Sequence, residues 1–170
     1  MAQFWDDRSA GFFSTTASAP DLILRLKDGM DNVEPSANGT SAQNLYRLGS
    51  MLEDEDYTKR ARETILAFEA EIMQHPFLFS SMTPAIVAGE LGVKSVVLVG
   101  ETKKTTEKRL LRSIGRLATM VKISPGKSSW LSERNPLIKS LAASHNTSPR
   151  IMICEGGTCR EEVEEGDEGT

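Results

Sequence analysis

Carboxylate, amide and hydroxyl side chains are concentrated in one short segment ahead of a predicted helix. Two carboxylates at a suitable separation can act as general acid and general base on a sugar, and they also accept hydrogen bonds from hydroxyl groups. We therefore predict that this segment lines a pocket, although no catalytic residue can be assigned. The alternative is that its carboxylates cap the helix N-terminus, where negative charge is favoured. The pocket candidates are Lys27, Asp28, Asp31, Glu34, Ser36 and Asn38.

Two of these carboxylates can be replaced by amides to test whether they bind a ligand. Asp31→Asn and Glu34→Gln do not alter side-chain volume, and both new residues keep hydrogen-bonding groups. From the sequence alone we expect both substitutions to leave folding nearly unchanged and to affect a bound ligand instead.

The two cysteines, Cys154 and Cys159, are the redox candidates. Four residues lie between them, rather than the two of a thioredoxin-type site. Cys154 ends an apolar run, and in a buried strand cysteine behaves as a small hydrophobic residue. A regulatory dithiol is the alternative. Because the only histidines are His75 and His145, four zinc ligands are hard to assemble, and we expect neither a metal nor a cofactor.

The distribution of charge along the chain and its composition indicate which classes of partner we expect the protein to bind. Most of the net charge of −4 comes from an acidic tail, residues 160–170, which we expect to be disordered. The rest of the chain is close to neutral and lacks the clustered positive charge that nucleic-acid binding requires. Gly100 joins a predicted strand to a predicted helix, but the glycine-lysine ending of a phosphate-binding loop is missing, so an ordinary turn is favoured. No long apolar run or secretory leader is seen, so we expect an intracellular, cytoplasmic protein without a membrane partner.

The first half of the chain predicts helices. One begins near Pro35–Ser36, and a second runs from an N-cap at Asp56 to His75–Pro76, where proline restricts the preceding residue. Residues 77–91 are apolar almost all round, which predicts a buried helix that Pro84 either kinks or begins. In an isolated chain we expect the face bearing Phe77, Phe79, Met82 and Ile86 to lack part of its partner surface.

From Gly92 onwards the pattern changes to alternating strands and helices. Residues 95–100 form a continuous β-branched run that is typical of a buried parallel strand. A helix from about Thr105, a short strand at 121–123, a helix from Pro136 and a strand at 151–154 follow. This order predicts a small, three-stranded, mainly parallel α/β unit with right-handed crossovers.

Three stretches of the chain resemble one known family: residues 24–28, residues 34–38 (Glu-Pro-Ser-Ala-Asn) and residues 96–100. The upstream residues 4–7 and 11–15 and the two cysteines match it as well. The chain resembles the C-terminal portion of the spermatogenesis-associated protein 20-like family, whose members carry a thioredoxin-like domain and an (α/α)6 toroid of the six-hairpin glycosidase type. The family's N-terminal redox motif has no counterpart here.

The resemblance implies a mainly α fold with a small α/β unit. Residues 1–92 would be the last helical hairpins of a partial (α/α)6 toroid, and residues 93–159 the small α/β unit. It further implies a site for a carbohydrate-like small molecule, with the remainder of the toroid and the thioredoxin domain as partners. A non-enzymatic redox-linked or interaction module is the alternative, and the sequence does not decide whether the protein is an enzyme.

Overall fold

The computed structural model describes residues 3–20, 22–113, 117–124, 130–143, 149–155 and 158–162. Two compact units form. The first comprises Met1–Gly49 and Asp54–Leu91, and the second comprises Ser50–Glu53 and Gly92–Thr170. Within the described residues no helix is long and apolar enough to cross a membrane.

The first unit is helical after an irregular N-terminal segment. Two isolated antiparallel bridges, Trp5–Phe12 and Phe13–Lys27, order that segment without forming a regular sheet. The helices that follow are α1 (Ala37–Leu52), α2 (Glu55–Leu66), α3 (Glu69–Gln74), a 3₁₀ helix (Pro76–Met82) and α4 (Thr83–Leu91). The predicted start of α1 is confirmed, because the hydroxyl of Ser36 accepts a hydrogen bond from the backbone N–H of Gly39.

The second predicted helix is two helices in the structure. Its N-cap is Asp54 rather than Asp56, since Asp54 Oδ1 accepts from the N–H of Asp56 at 2.9 Å. The chain leaves helical geometry at Phe68, where φ is −120° and ψ is 14°, and α3 then ends before Pro76 as predicted. The break lets the Phe68 ring join the buried cluster of Phe79 and Met82. Helical periodicity could not predict it, because the gain is a contact between residues distant in sequence.

The apolar segment 77–91 is only partly buried. Pro84 lies in the first turn of α4, so it begins a helix rather than kinking one. Phe79 and Met82 are buried as part of the core, which contradicts the prediction that they lack partners. Phe77 is 72% exposed and fits that prediction.

The second unit contains a mixed sheet in the strand order β2-β1-β3-β4 among the residues described. The strands are β1 (Lys94–Val99), β2 (Ala118–Ile123), β3 (Arg150–Glu155) and β4 (Thr158–Glu162). β1 runs parallel to β2 and antiparallel to β3, and β3 runs antiparallel to β4. The prediction of three mainly parallel strands is therefore wrong, because an apolar run reveals that a strand is buried but not in which direction it runs.

The predicted acidic tail begins within this sheet. Arg160, Glu161 and Glu162 form the end of β4, so these three residues are ordered rather than disordered. Residues 163–170 of the predicted tail lie outside the described part of the chain.

Helices cover both faces of β1. Val96 and Leu98 pack with Leu110 of α5 (Lys104–Ser113) on one face. Val97 and Val99 pack with α7 (Pro136–Ala143) on the other face. The sequence did not predict α6 (Trp130–Arg134). The end of α1 also belongs to this unit, since the Asn135 side chain donates to the carbonyl of Met51 at 2.9 Å.

A stretch of exposed apolar side chains precedes α1. Ile23 and Val33 are 103% and 95% exposed, and Leu24 and Leu26 are also exposed. Contiguous apolar patches on a protein surface favour association, and these four large apolar side chains all lie in water.

We expect the isolated chain to self-associate through this stretch. Replacing Ile23 and Val33 with asparagine should shift the sedimentation coefficient towards that of a monomer without lowering the melting temperature, because these side chains bury almost nothing. Glu69→Gln, on an exposed helical position, is the control and should change neither quantity. A wild-type chain that sediments as a stable monomer with a cooperative melt would contradict the expectation.

Candidate functional site

A solvent-open cavity of about 550 Å³ lies at the N-terminal end of α1. Two of the predicted pocket residues, Asp28 and Glu34, line it with their exposed side chains. The remaining lining is small or apolar apart from one amide and one hydroxyl. Five lining residues were not among the predicted candidates, although they are close neighbours of them in the sequence: Asn32, Val33, Pro35, Ala37 and Thr40.

Asp31 does not line this cavity. Its Oδ1 accepts from the backbone N–H of Ser36 at 2.9 Å, and its Oδ2 accepts from the backbone N–H of Ser81 at 2.6 Å. Its own N–H donates to the carbonyl of Leu78 at 2.7 Å. Burial alone would raise the pKa of Asp31, but the hydrogen bonds from Ser81 and Ser36 outweigh it and lower the pKa below 3.8. The carboxylate therefore ties the start of α1 to the 3₁₀ helix.

Ser36 and Asn38 also lie inside the unit rather than on the cavity. Ser36 is 1% exposed, and its hydroxyl shares a hydrogen bond of 3.1 Å with that of Ser81. Asn38 is fully buried, and its Oδ1 accepts from the N–H of Phe12 at 2.6 Å. Its Nδ2 donates to the carbonyls of Phe12 and Asp28, both at 2.9 Å. These bonds satisfy backbone groups that would otherwise be costly to bury.

Lys27 contacts the N-terminal loop and is not among the residues that line the cavity. Its Nζ lies 2.6 Å from Asp6 Oδ2 and donates to the carbonyl of Ala10 at 2.6 Å. The hydrogen bond from Lys27 is the main reason that the pKa of Asp6 lies below 3.8. Lys27 and Asp6 side chains are 18% and 13% exposed, so the pair is largely removed from water. It fixes the N-terminal loop, and no sequence pattern identified Asp6 as the partner.

The residues of the candidate segment thus fall into two structural groups. Asp31, Ser36, Asn38 and Lys27 form internal hydrogen bonds, whereas Asp28 and Glu34 line one cavity. The capping alternative describes Ser36 and Asp31 well, and the pocket hypothesis is left with Asp28 and Glu34. The lining includes no lysine or arginine, so the cavity offers acceptors to hydroxyl or amine donors and repels anions.

Cys154 and Cys159 form a disulfide with an S–S distance of 2.06 Å. They are directly opposite each other on β3 and β4, one pair before the Glu155–Thr158 end of the ladder. Both residues are partly exposed, so the prediction that Cys154 is a buried hydrophobic residue is wrong. The sequence could not establish the pairing because it depends on β4, a strand that no pattern in residues 158–162 predicted.

The turn after β1 contains a small network of charged and polar side chains. Thr102 donates to Glu107 Oε1 at 2.6 Å, and Lys122 of β2 lies 3.3 Å from the same oxygen. Hydrogen bonds from Thr102 and Lys122 lower the pKa of Glu107, and Glu107 in turn raises the pKa of Lys122. Across the described residues no group of three or more acidic, cysteine or histidine side chains is placed to hold a metal ion.

Comparison with known proteins gives a consistent relationship. The chain is 33% identical over 161 residues to spermatogenesis-associated protein 20 of Mus musculus. This alignment covers 92% of the chain and 20% of the mouse protein. The Homo sapiens protein of the same name is 28% identical over the same length, and an uncharacterized protein of Caenorhabditis elegans is 26% identical. No family model matches the chain, and no solved structure matches it.

The chain folds as helices followed by a small α/β unit. It aligns over nearly its whole length with one set of longer proteins, so it is homologous to a portion of that class. It belongs to the spermatogenesis-associated protein 20 family, which confirms the resemblance seen in the sequence and is consistent with a C-terminal portion. The chain spans about one fifth of the length of the curated relatives it matches.

The hydrogen bonds of Asp31 reverse the sequence-based expectation that Asp31→Asn leaves folding nearly unchanged. Asp31→Asn places an amide NH₂ group opposite one of two backbone donors, so it should lower the free energy of unfolding by about 1–3 kcal/mol at neutral pH. Because its folded-state pKa is lowered, the contribution of Asp31 is complete above its unfolded-state pKa and is lost as the pH falls through the folded-state value. Wild type should therefore lose more stability than Asp31→Asn in denaturant titrations as the pH falls below the ordinary pKa of an aspartate.

Asp28→Asn is the matched control for this measurement, since its exposed carboxylate lies three residues away and faces the cavity. It should be as stable as wild type. Equal stabilities for the Asp31 and Asp28 variants across the pH range would show that the two bonds of Asp31 contribute nothing.

Proposed function

We propose that the first unit provides a binding site for a carbohydrate-like small molecule at the cavity before α1. The observation that carries the proposal is the presence of the Asp28 and Glu34 carboxylates in one open cavity. Carboxylates accept hydrogen bonds from sugar hydroxyls, and Asn32 and Thr40 can both donate and accept. Val33 and Pro35 supply an apolar surface on which the carbon face of a sugar ring can lie.

The chemistry of the lining selects among ligands. Two carboxylates without a cation in the lining favour a neutral polyol or an amino sugar over a phosphorylated one. The proposal is one of binding: turnover would need a general acid and a general base acting on a held substrate. An open cavity leaves much of a ligand in water, so we expect weak affinity, with a Kd on the order of 1 mM.

NMR titrations with glucose, glucosamine and glucose 6-phosphate test the site. We expect shifts in the amides of residues 28–40 with the first two sugars and none with the phosphate. Asp28→Asn and Glu34→Gln should each weaken binding roughly tenfold, because each loses a hydrogen bond to a charged group.

Glu71→Gln is the control for those two variants, because its exposed side chain is on α3 and outside the cavity lining. It should bind as wild type does. Shifts spread evenly over the chain, or unchanged binding by both cavity variants, would refute the proposal.

We further propose that the helices of the first unit are part of an α/α toroid in longer family members. The support is the family relationship, the one-fifth coverage and the exposed apolar side chains around Ile23 and Leu24, which the rest of a toroid would cover. The self-association test described for that stretch measures the same uncovered surface.

A second candidate function is thiol–disulfide exchange at Cys154 and Cys159. The observation that favours it is a partly exposed disulfide on an edge hairpin, where a thiolate can approach the sulfur atoms. In this proposal a thioredoxin-like domain, as the family resemblance implies, is the external dithiol.

Mass spectrometry of alkylated thiols in graded glutathione buffers tests this second candidate. We expect the oxidised fraction to change over the range of buffers that reproduces cellular conditions. A pair that stays fully reduced, or fully oxidised, in every buffer would rule out an exchanging dithiol.

A further inference from the structure

The edge strand β4 contributes no buried side chain to its unit. All five of its residues are exposed or partly exposed, whereas Ile151 and Ile153 of β3 are 1% and 8% exposed. None of the β4 side chains belongs to either hydrophobic cluster of the sheet. Burial of apolar area is the main force that holds an element to a fold, and β4 lacks it.

The pairing register shows what β4 places opposite β3. Glu162 is opposite Ile151, Glu161 is opposite Met152, and Arg160 is opposite Ile153. These cross-strand pairs match a charged residue with an apolar one, so they add little of the side-chain stabilisation on which antiparallel strands depend. What remains is the backbone ladder, which by itself makes a hairpin only marginally stable in water.

The disulfide holds β4 against β3, which the packing of the β4 side chains does not do. Cys154 and Cys159 join the two strands at a directly opposed pair, so the covalent bond keeps the rest of β4 within reach of its ladder partners. A link of this kind raises the effective concentration of one strand at the other. In its absence, the loss of chain freedom on docking β4 is opposed only by hydrogen bonds that water can replace.

We infer that the Cys154–Cys159 disulfide controls whether β4 stays on the sheet, so that reduction releases β4 and makes β3 the open edge. The inference rests on the second proposed function, exchange of this pair with an external dithiol. One thiolate of the dithiol attacks a sulfur of the pair, and the other cysteine leaves as a thiolate that takes up a proton. The second thiol of the dithiol, after losing its proton, then attacks the mixed disulfide, so the dithiol is oxidised and both cysteines are reduced.

The consequence is a change in the surface of the second unit. Edge strands present unpaired backbone N–H and C=O groups, and a charged edge strand such as β4 is a common way to cover them. Release of β4 uncovers the corresponding groups of β3, whose Ile151 and Ile153 remain anchored in the core by contacts with β1 and α5. The switch therefore alters the edge of the sheet and leaves its interior intact.

Amide hydrogen exchange by NMR on the whole chain tests the inference, with and without dithiothreitol. Alkylation and mass spectrometry on the same samples report the covalent state of the pair. In the reduced protein, we expect the protected amides of Thr158–Glu162 to exchange about tenfold faster or more, with β1 and β2 unchanged. The double variant Cys154→Ser/Cys159→Ser should show the fast exchange without reductant and no further change with it.

The outcomes separate the inference from the function on which it rests. If the pair is reduced but β4 amides keep their protection, the inference is wrong while exchange remains possible. If dithiothreitol fails to reduce the pair but the serine variant releases β4, the exchange function fails and the structural role of the disulfide stands. Should the serine variant fail to fold, the reduced wild-type protein decides, because uniform loss of protection in β1, β2 and β4 would overturn a local switch.

Discussion

The buried carboxamide of Asn38 is the interaction on which the first unit depends. Its three hydrogen bonds reach Phe12, which is 26 residues earlier, and the carbonyl of Asp28. Both of these loops therefore meet at the first turn of α1. An aspartate or a leucine at this position would leave backbone groups buried without partners, at about 1–3 kcal/mol for each. The N-terminal segment, which has no regular strand or helix, is held by this side chain together with the Lys27–Asp6 pair and several backbone hydrogen bonds of its own.

This internal network determines what is left for the cavity. Asp31 and Ser36 are committed to the backbone at the start of α1, and their atoms are not available to a ligand. Asp28 contributes its carbonyl to Asn38 and its side chain to the cavity, so one residue serves both the scaffold and the site. A site built in this way is positioned by buried hydrogen bonds, and its exposed carboxylates can vary in chemistry without loss of the fold.

Local signals in the sequence predicted much of the fold. Ser36 as a helix cap, the helix end before Pro76 and the buried strand at Val96–Val99 all follow from interactions within a few residues. The break at Phe68 and the direction of β3 did not follow, because both depend on contacts made only in the folded unit. The candidate site shows the same limit. Its segment was predicted, but composition cannot distinguish a carboxylate that accepts backbone hydrogen bonds from one that faces a cavity three residues away.

The two units hold their candidate sites by different physical means. Around α1 the restraint is a set of buried hydrogen bonds, which change with the protonation of Asp31 and not with thiol chemistry. At the β3–β4 edge the restraint is a covalent bond between two partly exposed cysteines, which a dithiol can break and protonation in the acidic range cannot. The two restraints therefore differ in the chemistry that would release them. In the two proposals, polyol binding belongs to one unit and dithiol exchange to the other, and the two chemistries share no residue.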